Sequence, residues 1–293
     1  MAVIKMSELG FVSSMIRIIF TPALSKAAFK TLGSILYNFF FIQHRASLNR
    51  KRIKITNVDH ELDFLIPFTP SWINIYMDFS PLWIRAQAFL IKAFGKIAYP
   101  EINNFIDGIG NIYARAASVY KENFSTTTRP NCKINIGFRT IHTFDPHLMC
   151  IPSLHVMVVV FTYIKMCSIL RRLNAESEYK EQLKGLRLQA IAITESILFI
   201  KQHSVNCIAA SLYALTYLEE SGFTVQEMED FVQSMFAKES TIHCDIIKQI
   251  KAYILSLYHS FLEEEKKTLD WRQPLLDFLR GYKPYLPQGG QGC

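Results

Sequence analysis

Apolar residues recur along this chain in helix-length blocks, and polar residues interrupt them at a few sharp places. Residues 11–43 hold two apolar stretches, FVSSMIRIIFTPAL and LGSILYNFFFI, split by Lys26 and Lys30. A basic patch follows: His44, Arg45, Arg50, Lys51, Arg52 and Lys54. The next block, ELDFLIPFTPSWINIYMDFSPLWIRAQAFLIKAFG, carries Pro67, Pro70 and Pro81. Each proline removes a helix N–H, so the block predicts broken helices, with Trp72, Tyr76 and Trp83 as membrane-interface anchors. Residues 101–120 predict a moderately apolar helix, and 121–152 a polar loop rich in Thr, Asn and Pro. Residues 154–170 predict an apolar helix interrupted only by Lys165, which faces the bundle interior or snorkels. A charged connection, RRLNAESEYKEQLKGLR, spans 171–187, and two apolar helices follow over 188–200 and 204–218. From Gly222 to Tyr282 the pattern is amphipathic and charged, as in a soluble helical tail. Neither an internal repeat nor a strand ladder is predicted.

Composition decides what kind of helical protein this is. Half of the 293 residues are hydrophobic, 13% are aromatic and only 19% are charged. That balance favours helices shielding polar groups inside a membrane bundle over a soluble core, although no block cleanly reaches the roughly 20 apolar residues of a bilayer span. The net charge of +7 suits anionic lipid. No basic helix is interleaved with aromatics for base stacking, so nucleic acid is not an expected partner. The five Lys/Arg of the 171–187 loop place it on the cytoplasmic side and both flanking helices run outward from it. The basic patch at 45–54 fits this topology less well. The six cysteines (132, 150, 167, 207, 244 and 293) form no CxxC pair or metal-ligand spacing. The N-terminus lacks the unbroken apolar core and small-residue cleavage site of a cleaved signal peptide.

The candidate chemistry lies in Arg129, in the run Pro-Ser-Leu-His at 152–155, and in Ser196, Lys201 and His203. Arg129 precedes Pro130 in a polar loop, His155 opens an apolar helix, and His203 sits at the junction of two others. Under the topology above, all three share one membrane face. A phosphate ester needs its oxygens neutralised, which a guanidinium does bidentately and an ammonium as a point charge. One imidazole can attack phosphorus, and a second can protonate the departing alkoxide. The cations can do the electrostatic work and no carboxylate cluster is evident, so no metal or other cofactor is expected. His142, Asp145 and His147 lie in the loop before Pro-Ser-Leu-His and read as surface-exposed or as lining the entrance, and His243 and Cys244 as structural.

The ordered set Arg-Pro, Pro-Ser-Leu-His and Ser…Lys-Gln-His resembles the three-part signature of the type 2 phosphatidic acid phosphatase superfamily, which includes lipid phosphate phosphatases and inositol phosphorylceramide synthases. The spacings are similar to the family's: 21 residues lie between Pro130 and Pro152, and 40 between His155 and Ser196. The runs DFLIPFTPSWINIYMDFSPLW and DPHLMCIPSLHV also resemble its membrane branch and its Leu-containing subgroup. The resemblance covers residues 60–220 and implies an all-α polytopic membrane helical bundle with a six-helix phosphatase-like core. Residues 1–59 then form N-terminal apolar helices and a basic linker, and 221–293 a helical C-terminal tail. The implied activity is metal-independent hydrolysis of a lipid phosphate ester through a phosphohistidine. The implied setting is a cell inner membrane with the site on the non-cytoplasmic face.

Carried over by position, Arg129 matches the phosphate-binding arginine, and Ser153 a serine that hydrogen-bonds the phosphate. His155 matches the general acid, His203 the nucleophile and Ser196 the third-motif serine. The family's third-motif arginine falls at Ile197, and Lys201 is the candidate replacement cation. Two further departures matter. The first-motif lysine falls at Glu122, beside Lys121. The aspartate that orients the nucleophile falls at Cys207, and a thiol neither fixes an imidazole tautomer well nor stabilises its cation. Glu195 and Asn206 are near in sequence, but helix geometry turns Asn206 off the His203 face. The alternatives are a phosphotransferase with a lipid-alcohol acceptor and an inactive membrane interaction protein.

Overall fold

The computed structural model describes residues 5–130, 136–218, 222–239 and 241–285. Cys132, Cys293 and the expected domain boundary at 220/221 lie outside the described residues. The N-terminal apolar stretches form α1 (Phe11–Ile19) and α2 (Pro22–Ile35), and α2 continues through a π-helical segment, Leu36–Phe41, into α3 (Ile42–Leu48). Pro22 occupies the first turn of α2, where its missing N–H would have had no helical partner. The proline-rich block breaks as its prolines predict, into α4 (Glu61–Leu65), α5 (Ile73–Met77) and α6 (Phe79–Phe94). Then come α7 (Tyr99–Tyr120), α8 (Ile136–Phe144), α9 (Leu154–Arg172), α10 (Lys180–Phe199) and α11 (Val205–Thr216). The tail holds α12 (Val225–Ser234), α13 (Cys244–Glu265) and α14 (Gln273–Gly281).

Two expectations about local structure differ. Strands β1 (Ile55–Asn57) and β2 (Phe124–Thr126) pair in parallel, Ile55 opposite Phe124 and Asn57 opposite Thr126. Three residues are too few to show a two-residue periodicity. The supposed loop at 121–152 contains α8, and α10 begins within the charged connection because its polar face is simply solvated.

Helix α9 is the hub. It is apolar nearly all round, and α6, α7, α10 and α11 pack on it. Close approach to α7 depends on Gly108, where a Cβ would come within 2.4 Å of the Phe161 ring. Among the described residues, Leu154–Arg172 is the one helix long and apolar enough to cross a membrane, and 72% of its apolar window is buried.

Helix α11 is buried from Val205 to Leu215 and therefore needs cover on every side. The tail supplies it. Ile250, Ile254, Tyr258 and Phe261 form the buried stripe of α13, while Lys248, Gln249, Ser256, His259 and Glu263 face outward. The two helices run parallel: Tyr253 Oη donates to Asn206 at one end, and Tyr217 Oη to Glu265 at the other. Helix α14 returns the chain, so that Tyr282 Oη donates to the Asp59 carbonyl at 2.9 Å. The residues expected as a soluble helical tail pack against α11, and Tyr282 reaches Asp59 and Asn206.

Candidate functional site

The site forms where four connections meet. The first follows β2. Asp59 accepts from the Thr128 N–H at 3.0 Å and from the Thr128 hydroxyl at 2.5 Å, which pins the chain just before Arg129. Arg129 donates through Nη2 to Asp145 Oδ2 at 2.5 Å and through Nη1 to the Asp145 carbonyl at 3.1 Å. Its Nε is buried without a hydrogen-bond partner. The Nε–H is therefore one of the guanidinium donors left for an anion.

The second connection is the turn that opens α9. Ser125 Oγ accepts from the N–H groups of Cys150 and Ile151 at 3.2 and 2.9 Å. Tyr120 donates to the Pro152 carbonyl, and Ser211 Oγ accepts from the Ser153 N–H at 2.7 Å. Ser153 is the N-cap residue, which places His155 in the first turn. The ring of His155 stacks on Tyr76 at 4.2 Å and lies 4.3 Å from Phe79. Tyr76, expected as an interface anchor, is 3% exposed and serves as a platform for this imidazole.

The third connection joins α10 to α11. Lys201 takes a left-handed φ of 54°, with Gln202 N–H bonded to Ile197 O at 2.9 Å and Lys201 N–H to Leu198 O at 3.1 Å. This double closure ends α10 sharply. Two residues later Ser204 caps α11, its Oγ accepting from Asn206 N–H at 3.3 Å, so His203 is held between two helix ends. The His155 and His203 rings are 5.6 Å apart, and Ser153 Oγ lies 3.4 Å from His203 Nε2. Among the described residues, none lies within hydrogen-bonding geometry of the buried His203 Nδ1. The Cys207 thiol instead accepts from the Ser204 N–H at 3.4 Å.

The fourth connection follows α8. His147, expected to be exposed, is buried with its ring 6.3 Å from that of His203. Its Nε2 lies 2.7 Å from Thr127 Oγ, and Asp145 Oδ1 accepts from its backbone N–H at 2.8 Å. The hint in the sequence was its place in DPH, at the run-in to Pro-Ser-Leu-His.

Two candidates do not join the histidines. Lys201 donates to the carbonyls of Asp63 and Ile66, the latter at 2.5 Å. Burial pulls its ammonium down to about 8. Ser196 donates to Ile193 O at 2.7 Å, within its own helix. Lys121 lies over the Tyr37 ring, and Glu195 accepts from the Phe236 N–H. Asn206 bonds Val58 O, Tyr253 and Tyr282, on the side of α11 away from the site, as its helical position predicts.

Sequence reasoning missed Asp63. This carboxylate accepts from Val205 N–H at 2.9 Å and from His60 N–H at 2.8 Å, tying α4 to the start of α11 behind His203. Burial pushes it up to about 6. Burial also holds His203 well below the ordinary imidazole range, helped by His155 and Arg129; the Cys150 carbonyl opposes the shift. His147 is lowered for the same leading reason, with Arg129 and His203 adding to it. A neutral, buried imidazole is a competent nucleophile, and a nearby guanidinium favours an anionic ligand.

A pocket of about 500 Å³ is lined by His155 and Asp145 together with Tyr76, Phe79, Tyr113 and Phe39. His155 therefore belongs both to this largely aromatic pocket and to the pair of facing imidazoles. No family model, curated protein or solved structure matches this chain.

Proposed function

We propose that this protein is a membrane-associated hydrolase of lipid phosphate esters that works through a phosphohistidine. The observation that carries the proposal is the meeting of two imidazoles from chain segments 48 positions apart, ring to ring at 5.6 Å, with Ser153 and Arg129 beside them. His203 Nε2 attacks phosphorus as the bond to the ester oxygen breaks, and His155 gives that oxygen its proton. A bound phosphate dianion favours the protonated form of an adjacent imidazole, which readies this donor. Water, deprotonated by His155, then attacks the phosphorus, the P–N bond breaks, and inorganic phosphate leaves. Arg129 neutralises the non-bridging oxygens; Ser153 hydrogen-bonds one of them. The aromatic pocket beyond His155 accommodates the apolar part of the alcohol.

The orphan Nδ1 of His203 supports a second reading, a slow or inactive protein that binds lipid phosphate without turning it over. Phosphate release from a lipid phosphate monoester by purified full-length protein in chelator-treated buffer separates the two. Wild type is expected to release phosphate and to carry an acid-labile, base-stable phosphoryl group; His203→Ala does neither. Equal turnover by the two proteins would remove the catalytic assignment.

A further inference from the structure

The outer surface is divided unevenly. The outward positions of α13 are Lys248, Gln249, Ser256, His259, Ser260 and Glu263. On α7 the exposed or half-exposed positions include Asn103, Asn104, Asp107 and Ser118, and on α10 they include Glu181, Lys184 and Arg187. Those positions are polar, and on α10 Leu188 at 44% exposure is the exception. The face of α1 and the continuous α2–α3 helix is different. Phe20 is 76% exposed, Phe29 60%, Leu36 51%, Phe41 52% and Leu48 89%. On α1, Val12 and Ile16 continue the same surface at helical spacing. Soluble monomers rarely leave a contiguous apolar strip of this kind uncovered.

Charge singles out the same segment. Residues 9–58 contain eight Lys/Arg and no Asp/Glu, while the rest of the chain has 24 Lys/Arg against 25 Asp/Glu. The net charge of +7 therefore comes from this segment. Arg45, Arg50, Lys51, Arg52 and Lys54 are all exposed just beyond the strip. An apolar ridge bordered by lysine and arginine is the chemistry of a helix lying in the interface of an anionic bilayer.

The strip is also continuous with the site. Helix α2 runs parallel to α7: Thr31 bonds Ile106 O, Ser34 bonds Gly110 O, and Phe39 packs on Tyr113. The π-helical segment therefore lies near the end of α7 that leads into the Arg129 connection. Phe40, Met77 and Phe144 line the same pocket as His155, and they are 36%, 41% and 59% exposed.

We propose that the α1–α3 face and the Arg45–Lys54 run seat this protein on an anionic lipid bilayer, and that lipid passes from that face into the His155 pocket without crossing water. The bilayer is thus engaged from one side of the bundle, in place of several spans. The second half of the proposal rests on the lipid-phosphate reading of the site; the seating does not.

Flotation of the full-length chain with vesicles of phosphatidylglycerol, or of phosphatidylcholine alone, tests it. Wild type is expected to float with phosphatidylglycerol, to lose most of that binding in high salt, and to bind phosphatidylcholine alone weakly and without salt dependence. A combined Phe20→Ser, Leu36→Ser, Phe41→Ser variant should partition about a hundredfold more weakly, having lost its buried apolar area. An Arg50→Gln, Lys51→Gln, Arg52→Gln variant should lose about a hundredfold on phosphatidylglycerol only. All the substituted positions are exposed, so unchanged unfolding midpoints check that the variants are folded.

No flotation of wild type, equal flotation of all variants, or a wild-type dimer that the serine variant dissociates would each overturn the seating. Retention of wild type and variants on phosphatidylcholine in high salt would mean insertion through the bundle and would also overturn it. Flotation by a wild type that releases no phosphate would sink the hydrolase reading alone. Hydrolysis of a short-chain, water-soluble phosphate ester without flotation would sink the seating alone.

Discussion

Asp63 offers the sharpest test of how the bundle holds the start of α11 behind His203. It is a buried carboxylate between His60 N–H, Val205 N–H and the Ser204 side chain, and among the described residues no basic side chain forms an ion pair with it. Lys201 comes near, but its ammonium meets the Asp63 carbonyl, not the carboxylate. Burial therefore dominates, and the carboxyl moves from 3.8 up to about 6. A group whose folded pKa is raised binds its proton more tightly in the fold. It adds stability that is complete below the unfolded value and disappears as pH rises through the folded one. With these values the increment is about 2 kcal/mol near pH 4.5 and close to zero near pH 7. Asp63→Asn removes the titration. Urea unfolding of both proteins at the two pH values gives the change in stability for each. Wild type should gain about 2 kcal/mol more than Asp63→Asn on acidification. The comparison of slopes is insensitive to how far the substitution moves the baseline. Identical slopes would refute the assignment of a raised carboxyl at this position.

Three further outcomes are expected. Cys207→Asp keeps an acceptor for the Ser204 N–H and offers a carboxylate to the orphan Nδ1 of His203, so turnover should rise about tenfold or more; a flat response would mean that Nδ1 is already served. Because His203 is held well below its ordinary range and must be neutral to attack, the acid limb of the kcat/KM profile should fall below about 6.5. A limb at or above that pH would count against His203 as nucleophile. Gly108→Ala drives a methyl into the Phe161 ring and should destabilise the fold by about 1–3 kcal/mol in urea melts. An unchanged midpoint would show that α7 and α9 have room to spare.

Helix positions were legible wherever periodicity ran long. The blocks at 101–120 and 154–170 correspond to Tyr99–Tyr120 and Leu154–Arg172. The Pro-rich block broke near its prolines because the ring removes a donor wherever it stands. By contrast, the three-residue strands and α8 lie in a stretch whose Thr, Asn and Pro content reads as loop. His147 looked solvated for the same reason. Its contacts with Thr127, Cys150 and the His203 ring, distant or non-periodic in sequence, make it part of the interior. Tyr76 is 79 positions from His155, and no local pattern separates a stacking platform from an interface anchor.

What the sequence determined by itself is local: the long helices at 101–120 and 154–170, the breaks near prolines, and the presence of imidazole, guanidinium and hydroxyl groups in one order. Those properties follow from backbone preferences and side-chain chemistry within a few residues. Tertiary structure decided the rest. It turned Lys201 toward carbonyls, laid α13 over α11, brought His147 and Tyr76 to the two histidines, and left the α1–α3 face uncovered. Each of these depends on which apolar surfaces bury one another across long stretches of chain. That choice is settled only when all the helices compete for the same core.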